Sequence, residues 1–415
     1  MRRAALVGLA LLTWAGRAGA DPYQVSGALL GARASGIGGA ATGLPEEDAA
    51  PFYNPAAISL DPRISVSFSA QALQLQSRTF SPYLGSRATE TQAGLVPNAS
   101  VGSFPWRGGR ASFAVFTTQQ ENLTLNQTLH PPAETGVATA RLRRLENDST
   151  YLLGPSYGRP VNDVLAVGFS VLYVYRSLSQ RADEYAEASN PQTNPAAISH
   201  ALDDEGLSQG LAFVGGLRLR PGGSDGRLTV GLTLRSAVAL SQQQVRREER
   251  YIGTRDAGGV LRFSREQVHD ESASARAGLP AAILTGASLR LGPTLLSAQA
   301  SFTSAQKDFT PGVDGRFTAN GALGAELHID PVWTARAGLF ARRSAVADPQ
   351  TAPQLDQYGV SVGTGWVELH HVTDVALVVI SERGQAPVET VTGGRDLVQV
   401  TGYTLLLTLG GAFRF

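Results

Sequence analysis

The last fifteen residues, Thr401 to Phe415, alternate faces without a break and stop on an aromatic. Tyr403, Leu405, Leu407, Leu409, Phe413 and Phe415 share one face of an extended chain. Thr404, Thr408, Gly410, Ala412 and Arg414 share the other, with Leu406 the one apolar exception. A closing strand that is apolar on one side, small or polar on the other, and ends on Phe has the pattern of a barrel wall between lipid and lumen. The rest of the chain is therefore read as an all-β, antiparallel transmembrane barrel.

The N-terminus fits export. Arg2 and Arg3 precede an apolar run from Ala4 to Ala15, and Ala18-Gly19-Ala20 stands ahead of Asp21, so residues 1–20 read as a signal peptide. The run is shorter than the roughly 20 residues of a spanning helix, and no later segment is long enough either. Zero Cys removes disulfides and thiolate metal sites and suits passage through an oxidising periplasm. With 35 basic and 35 acidic residues the chain lacks the basic footprint of a nucleic-acid partner. Hydrophobic content of 43% is ordinary, because lipid-facing and lumen-facing residues average out along each strand. The expected location is the outer membrane of a Gram-negative bacterium, with outer-membrane lipid and lipopolysaccharide around the wall and the barrel assembly machinery reading the C-terminal strand.

From Arg63 onward alternating segments recur. In Val164 to Arg176, Leu165, Val167, Phe169, Val171, Tyr173 and Tyr175 oppose Ala166, Gly168, Ser170 and Arg176; in Leu228 to Leu240, Val230, Leu232, Leu234 and Val238 oppose Thr229, Gly231, Thr233 and Arg235. Short turns fall at Arg107-Gly108-Gly109-Arg110, Arg159 to Asn162, Pro221 to Arg227, Gly292-Pro293, Asp330-Pro331 and near His370. Longer polar stretches lie between them: Ser77 to Pro97, Asn122 to Val137, Glu184 to Glu205, Gln242 to Asp270, Ala305 to Gly315, Arg342 to Gln357 and Ser381 to Asp396. Read as external loops and periplasmic turns, these connections imply about 14 strands spanning residues 63–415.

Residues 21–62 break the strand pattern. They are rich in Gly and Ala, yet Tyr23, Val25, Leu29, Leu30, Ile37, Phe52, Tyr53, Ile58 and Leu60 supply more apolar anchors than a disordered tail carries. A plug, or hatch, inside the lumen is the reading.

Ala32-Arg33-Ala34-Ser35-Gly36-Ile37-Gly38-Gly39-Ala40-Ala41-Thr42-Gly43, Glu47-Asp48-Ala49-Ala50 and Tyr53-Asn54-Pro55-Ala56-Ala57-Ile58-Ser59-Leu60 resemble the N-terminal hatch of the FadL, TodX and OmpP1 family. A weaker similarity is Leu279-Pro280 entering a strand over Ala281 to Leu291. The resemblance implies a 14-stranded barrel with a hatch, passively taking up long-chain fatty acids or other hydrophobic compounds. It further implies a pocket near the mature N-terminus, gated by Tyr23 and Val25, with Asn54, Pro55 and Ala56 as the hatch signature. Exit would be sideways, through a gap at a kinked third strand; the expected third strand, Ala111 to Glu121, holds neither Gly nor Pro. Arg141, Arg143, Arg218 and Arg235 are the candidate contacts for a cargo carboxylate. A lumen-facing Arg in a structural charge ladder is the competing explanation for each.

Other motifs lack the context their chemistry needs. Gly206-Leu207-Ser208-Gln209-Gly210 matches the serine-hydrolase elbow but enters a strand, not a strand-turn-helix. Gly36-Ile37-Gly38-Gly39-Ala40-Ala41 has no preceding strand for dinucleotide binding. His370-His371 falls at a turn, and Glu46-Glu47-Asp48 and Asp203-Asp204-Glu205 read as solvated acidic clusters, the second with room for a cation bridging lipopolysaccharide. No enzyme, cofactor or metal site is expected. Two alternatives to fatty-acid transport stay open: transport of aromatic hydrocarbons, and a docking or shuttle role for secreted proteins.

Overall fold

The computed structural model describes residues 28–415 apart from 46, 61–62, 84–85, 133–136, 191–195, 274–279, 311–312 and 390–394. The signal segment and the gating pair Tyr23 and Val25 lie outside the described residues. The strands are β1 (Ser65–Tyr83), β2 (Ser86–Trp106), β3 (Gly109–Leu129), β4 (Val137–Pro160), β5 (Leu165–Ala188), β6 (Ala197–Leu219), β7 (Leu228–Arg255), β8 (Leu261–Ala273), β9 (Ala282–Leu291), β10 (Thr294–Thr303), β11 (Gln306–Thr310), β12 (Val313–Gly315), β13 (Thr318–His328), β14 (Trp333–Arg342), β15 (Gln354–Val367), β16 (His371–Glu389) and β17 (Arg395–Arg414). Hydrogen bonding runs β6-β5-β4-β3-β2-β1-β17-β16-β15-β14-β13-β10-β9-β7, and β6 pairs with β7 to close a ring of 14 antiparallel strands. β8 pairs with the upper part of β7, and β11 with β12 forms a hairpin outside the wall.

Alternation along each wall strand sorts side chains between lipid and lumen. On β17, Tyr403, Leu409, Phe413 and Phe415 are exposed, while Thr404, Leu406, Thr408 and Ala412 are buried. Phe68, Phe113, Phe169, Leu234, Leu339 and Val360 continue the outer apolar belt. At the short-turn rim Trp333 stacks on Trp366 at 5.6 Å, and Trp106 meets Tyr157 edge-on at 5.5 Å, the aromatic girdle a membrane interface favours.

The short turns fall where the sequence puts them, but the long connections differ. Ser77 to Pro97 lies almost wholly within the β1–β2 hairpin, and much of Gln242 to Asp270 within β7 and β8. β7 alone has 28 residues, against the roughly 9–11 that cross a bilayer. Above the lipid band both faces of a strand are polar, so the ladder continues while the hydrophobic period that announces a strand disappears. That upper interior carries buried ion pairs: Arg78 with Glu382 at 2.7 Å, Arg176 with Asp148 at 2.7 Å, and Arg144 with Glu146 at 3.3 Å and Glu90 at 3.6 Å. An apolar cluster including Phe80, Leu125, Leu142, Leu355 and Val400 packs beside them.

Inside the ring sits the hatch: α1 (Ala32–Gly36), α2 (Ala50–Tyr53) and a 3-10 turn over Pro55–Leu60. Pro51 at the first turn of α2 starts that helix without wasting a donor. Leu30, Ile37, Leu44, Phe52 and Tyr53 of the hatch share one buried cluster with Phe116, Leu152, Leu172 and Val214 of the wall.

Candidate functional site: hatch seat, wall break and lumen cavity

On one side of the lumen the hatch backbone lies directly on the backbone of the wall. Gly158 of β4, Gly168 of β5, Gly216 of β6 and Gly231 of β7 face residues 54–56. A Cβ at Gly216 would stand 2.9 Å from Pro55 Cδ, and one at Gly231 2.8 Å from Asn54 Nδ2. The surface continues through Gly286, where a Cβ would come 2.8 Å from the Gly43 nitrogen, to Gly324 and Gly338, where it would come 2.7 Å from the Ile37 oxygen. Close approach lets wall hydroxyls satisfy hatch carbonyls: Ser170 donates to Pro51 O at 2.8 Å, Thr233 to Tyr53 O at 2.8 Å, Ser288 to Gly43 O at 2.7 Å and Ser361 to Gly36 O at 3.0 Å.

Asn54 is the knot of this seat. Its extended backbone suits a residue before proline. The buried side-chain amide donates to Thr42 O at 3.1 Å and to Leu217 O of β6 at 3.0 Å, and its oxygen accepts from Ala56 N at 3.1 Å. Arg33 of α1 adds a charged tether to Glu326 at 2.9 Å; Glu326 is shared with Arg336, which reaches Asp374 at 2.6 Å.

The sector β1–β3 is built differently. Each strand carries an irregularity at the same height: β1 between Gln71 and Leu73, β2 at Asn98 and β3 at Thr118. The β2–β3 ladder pairs Ala99 with Phe116 and then Thr91 with Thr124, and residues 92–98 face 117–123 without a ladder bond. Pro97 lies in this break, where its missing N–H costs nothing, and a Cβ on Gly94 would meet open space. β3 thus carries a bulge with no Pro or Gly of its own, and Pro97 and Gly94 sit across the gap on β2, in a stretch the sequence pattern assigns to a loop. Asn98 uses the bulge to turn inward: its oxygen accepts from Gly31 N at 2.6 Å and its nitrogen donates to Leu29 O at 2.8 Å.

Behind the break lies a cavity of about 120 Å³, lined among others by Ala28, Leu29, Gln74, Val96, Thr117 and Thr118 with Leu355, Ile380 and Leu406. Arg342, at the top of β14, also lines it; its guanidinium stacks over Phe340, 4.1 Å from the ring centre, and makes no ion pair among the described residues. Tyr53 stands nearby, donating to Ala28 O and accepting from Leu30 N, both at 3.0 Å. Burial raises its phenol well above the usual range, and the Leu30 N–H and the positive charges of Arg342 and Arg235 pull the other way. A second cavity of about 290 Å³ lies on the short-turn side of the hatch and is lined by Arg33, Glu47, Arg110, Glu326, Arg336 and Asp374 among others. Burial also pushes the Glu47 carboxyl of the hatch up to about 8, and its Oε2 has no hydrogen-bond partner.

No family model and no curated protein matches the sequence. Solved structures do match in shape. A FadL homologue from Pseudomonas aeruginosa aligns at TM-score 0.63 and 14% identity over 93% of this chain and 98% of its own. The Ralstonia pickettii toluene transporter TbuX aligns at 0.61 and 15% over 93% and 98%, and the Pseudomonas putida toluene transporter TodX at 0.61 and 11% over 92% and 97%. The chain has the FadL and TodX fold. Within this FadL-type barrel the four arginines singled out from sequence fall in different places. Arg141 and Arg143 lie on the exposed face of β4, and the inward neighbour is Arg144, already paired. Arg218 is buried and points inward from β6. Arg235 stacks 4.0 Å over Phe52 and donates to Phe52 O at 2.8 Å, which ties it to the seat, although Nε and Nη1 are left without a partner. Arg342 escaped sequence reading because the stretch it opens reads as a loop. Ser208 lies within β6, far from any strand-turn-helix.

Proposed function

We propose that the chain is a passive outer-membrane transporter of hydrophobic molecules, with long-chain fatty acids as the cargo and the hatch as the gate. The observation that carries the fatty-acid reading is Arg342: a cation without an ion pair among the described residues, at the edge of a cavity whose other charges, Arg78 and Glu382, neutralise each other and whose remaining lining is amide, hydroxyl and aliphatic. An unpaired guanidinium in a dry site is costly to bury and binds carboxylate with two parallel hydrogen bonds. An amphiphile caught by the apolar cluster of the external mouth would descend, present its carboxylate to Arg342, and lay its chain along Leu355, Ile380 and Leu406. In this reading Tyr23 and Val25, a few positions ahead of the cavity-lining Ala28 in the sequence, act as the gate, and Asn54, Pro55 and Ala56 anchor the hatch.

Exit through the β2–β3 break follows from the alternatives. The space below the hatch is lined by Arg33, Glu47, Arg110 and Glu326, a poor path for an alkyl chain, whereas exit through the break beside the cavity would deliver it to lipid. A second reading, monoaromatic hydrocarbons, is favoured by the modest size of the cavity and by the solved toluene transporters of this fold. Uptake of a labelled long-chain fatty acid in a Gram-negative host lacking its own transporter separates the two. The barrel restores uptake, and Arg342→Gln lowers it about tenfold, the loss of a charge-assisted contact, without changing toluene entry. No uptake with a folded barrel at the surface discards the fatty-acid reading, and equal loss of both cargoes discards the role of Arg342.

A further inference from the structure

Where the β2–β3 ladder is missing, main-chain groups of β3 still need partners, since a buried orphan is rare and costly. Two glutamine side chains supply them. The Gln92 amide nitrogen donates to Gln120 O at 3.4 Å, and its oxygen accepts from Asn122 N at 2.9 Å. Gln74, reaching over from β1, donates to the same Gln120 O at 3.4 Å. Both side chains are buried. A primary amide presents N–H donors and a C=O acceptor at one end, as the N–H and C=O of a single strand residue do along one edge. Gln92 thus stands in for the strand residue that the bulges remove.

We propose that Gln92, assisted by Gln74, is a side-chain latch on the wall opening. It closes the barrel between cargoes and swings aside as an apolar molecule leaves; this rests on the lateral-exit reading and names the residues that regulate it. A backbone ladder opens only if two strands part, whereas an amide on two methylenes releases by rotating about its own bonds while β2 and β3 stay paired from Ala99 and Phe116 to the turn and at Thr91 and Thr124. The latch lies between the two compartments cargo must join. Gln74, Thr117, Thr118 and Gln120 line the cavity on one side, and Leu95 stands 64% exposed on the outer surface. Every group in it is neutral, so closing the wall leaves no charge in the way of an alkyl chain, and the latch does not titrate in the physiological range.

The absence of native Cys makes a direct test clean. Spin labels on Leu95→Cys and Thr124→Cys, both outward-facing, report the width of the break by pulsed dipolar spectroscopy. The latched protein gives one narrow distance distribution. Gln92→Ala shifts it to longer distances, the open population rising roughly fivefold for each net hydrogen bond lost. Gln92→Glu, which keeps the acceptor for Asn122 N and loses the donor, falls between, and serves if the alanine variant does not assemble. Identical distributions in parent and variants overturn the latch. A short bismaleimide joining the same two cysteines tests the reading beneath it: loss of fatty-acid uptake supports passage through the break, while undiminished uptake overturns lateral exit and the proposal together.

Discussion

Two sectors of one wall hold the same hatch by opposite means. From β4 round to β15 the contact is backbone on backbone, made by glycines and sealed by short hydroxyl side chains. Across β1–β3 it is made by side chains: Phe116 packs against Phe52, and Asn98 reaches out of a bulge to the backbone of Leu29 and Gly31. At the glycines of the first sector nothing larger than a hydrogen fits between hatch and wall. The second leaves a cavity and a broken ladder. Removing side chains makes a seat, and inserting residues makes a passage.

The largest effect should come from filling the seat. Gly338→Val drives side-chain atoms into the backbone of Ile37 and Gly38, neither of which can rotate away. Overpacking costs about 1–3 kcal/mol where neighbours adjust, and more here. The expected outcome is a barrel with a displaced hatch, measured as sensitivity to large antibiotics; wild-type resistance in a folded barrel would mean the seat is not a seal. Next come the two asparagine anchors. Asn54→Ala removes two donated bonds and leaves buried carbonyls short of partners, about 2–3 kcal/mol of hatch stability. Asn98→Ala costs roughly as much in bonds but acts on the passage side, so it should change uptake more than assembly; the comparison fails if both variants alter gel heat-modifiability alike.

The smallest effect is a pH dependence. Because the folded Glu47 carboxyl sits at about 8 against an ordinary 4.5, the native hatch holds its proton more tightly than the unfolded chain. Its contribution is complete below about pH 4.5 and is lost as pH rises through 8. Hydrogen exchange of the hatch amides, corrected for intrinsic rate, should quicken as pH rises from 4.5 to about 8 and level off above that, and Glu47→Gln should remove that slope. A slope that persists in the glutamine variant would assign it to another group.

The barrel was legible because lipid imposes a rule of two on every residue of the belt. β17 and the short turns follow directly from it, and the hatch stands out as the stretch that breaks the rule while keeping its apolar anchors. Legibility stops where lipid stops. Arg141 and Arg143 could not be told from Arg144 by alternation, because above the belt charged side chains stand on both faces of β4. Arg342 was hidden for the same reason. Bulges at Asn98 and Thr118 have no sequence signature of their own, and each swaps the face of everything beyond it. Pro97 was the available clue: within a strand it marks an edge with no bonding neighbour.

The paired charges of the upper interior have an electrical consequence. Arg78 beside Glu382 and Arg176 beside Asp148 are dipoles whose far field falls off within a few ångströms, so these pairs themselves add little standing potential for an ion crossing that stretch. A planar-bilayer recording of this half of the pore should therefore show little preference between small cations and anions, and little rectification. The voltage across the outer membrane would then have almost no grip on what enters, and only a concentration difference would set the direction of flow.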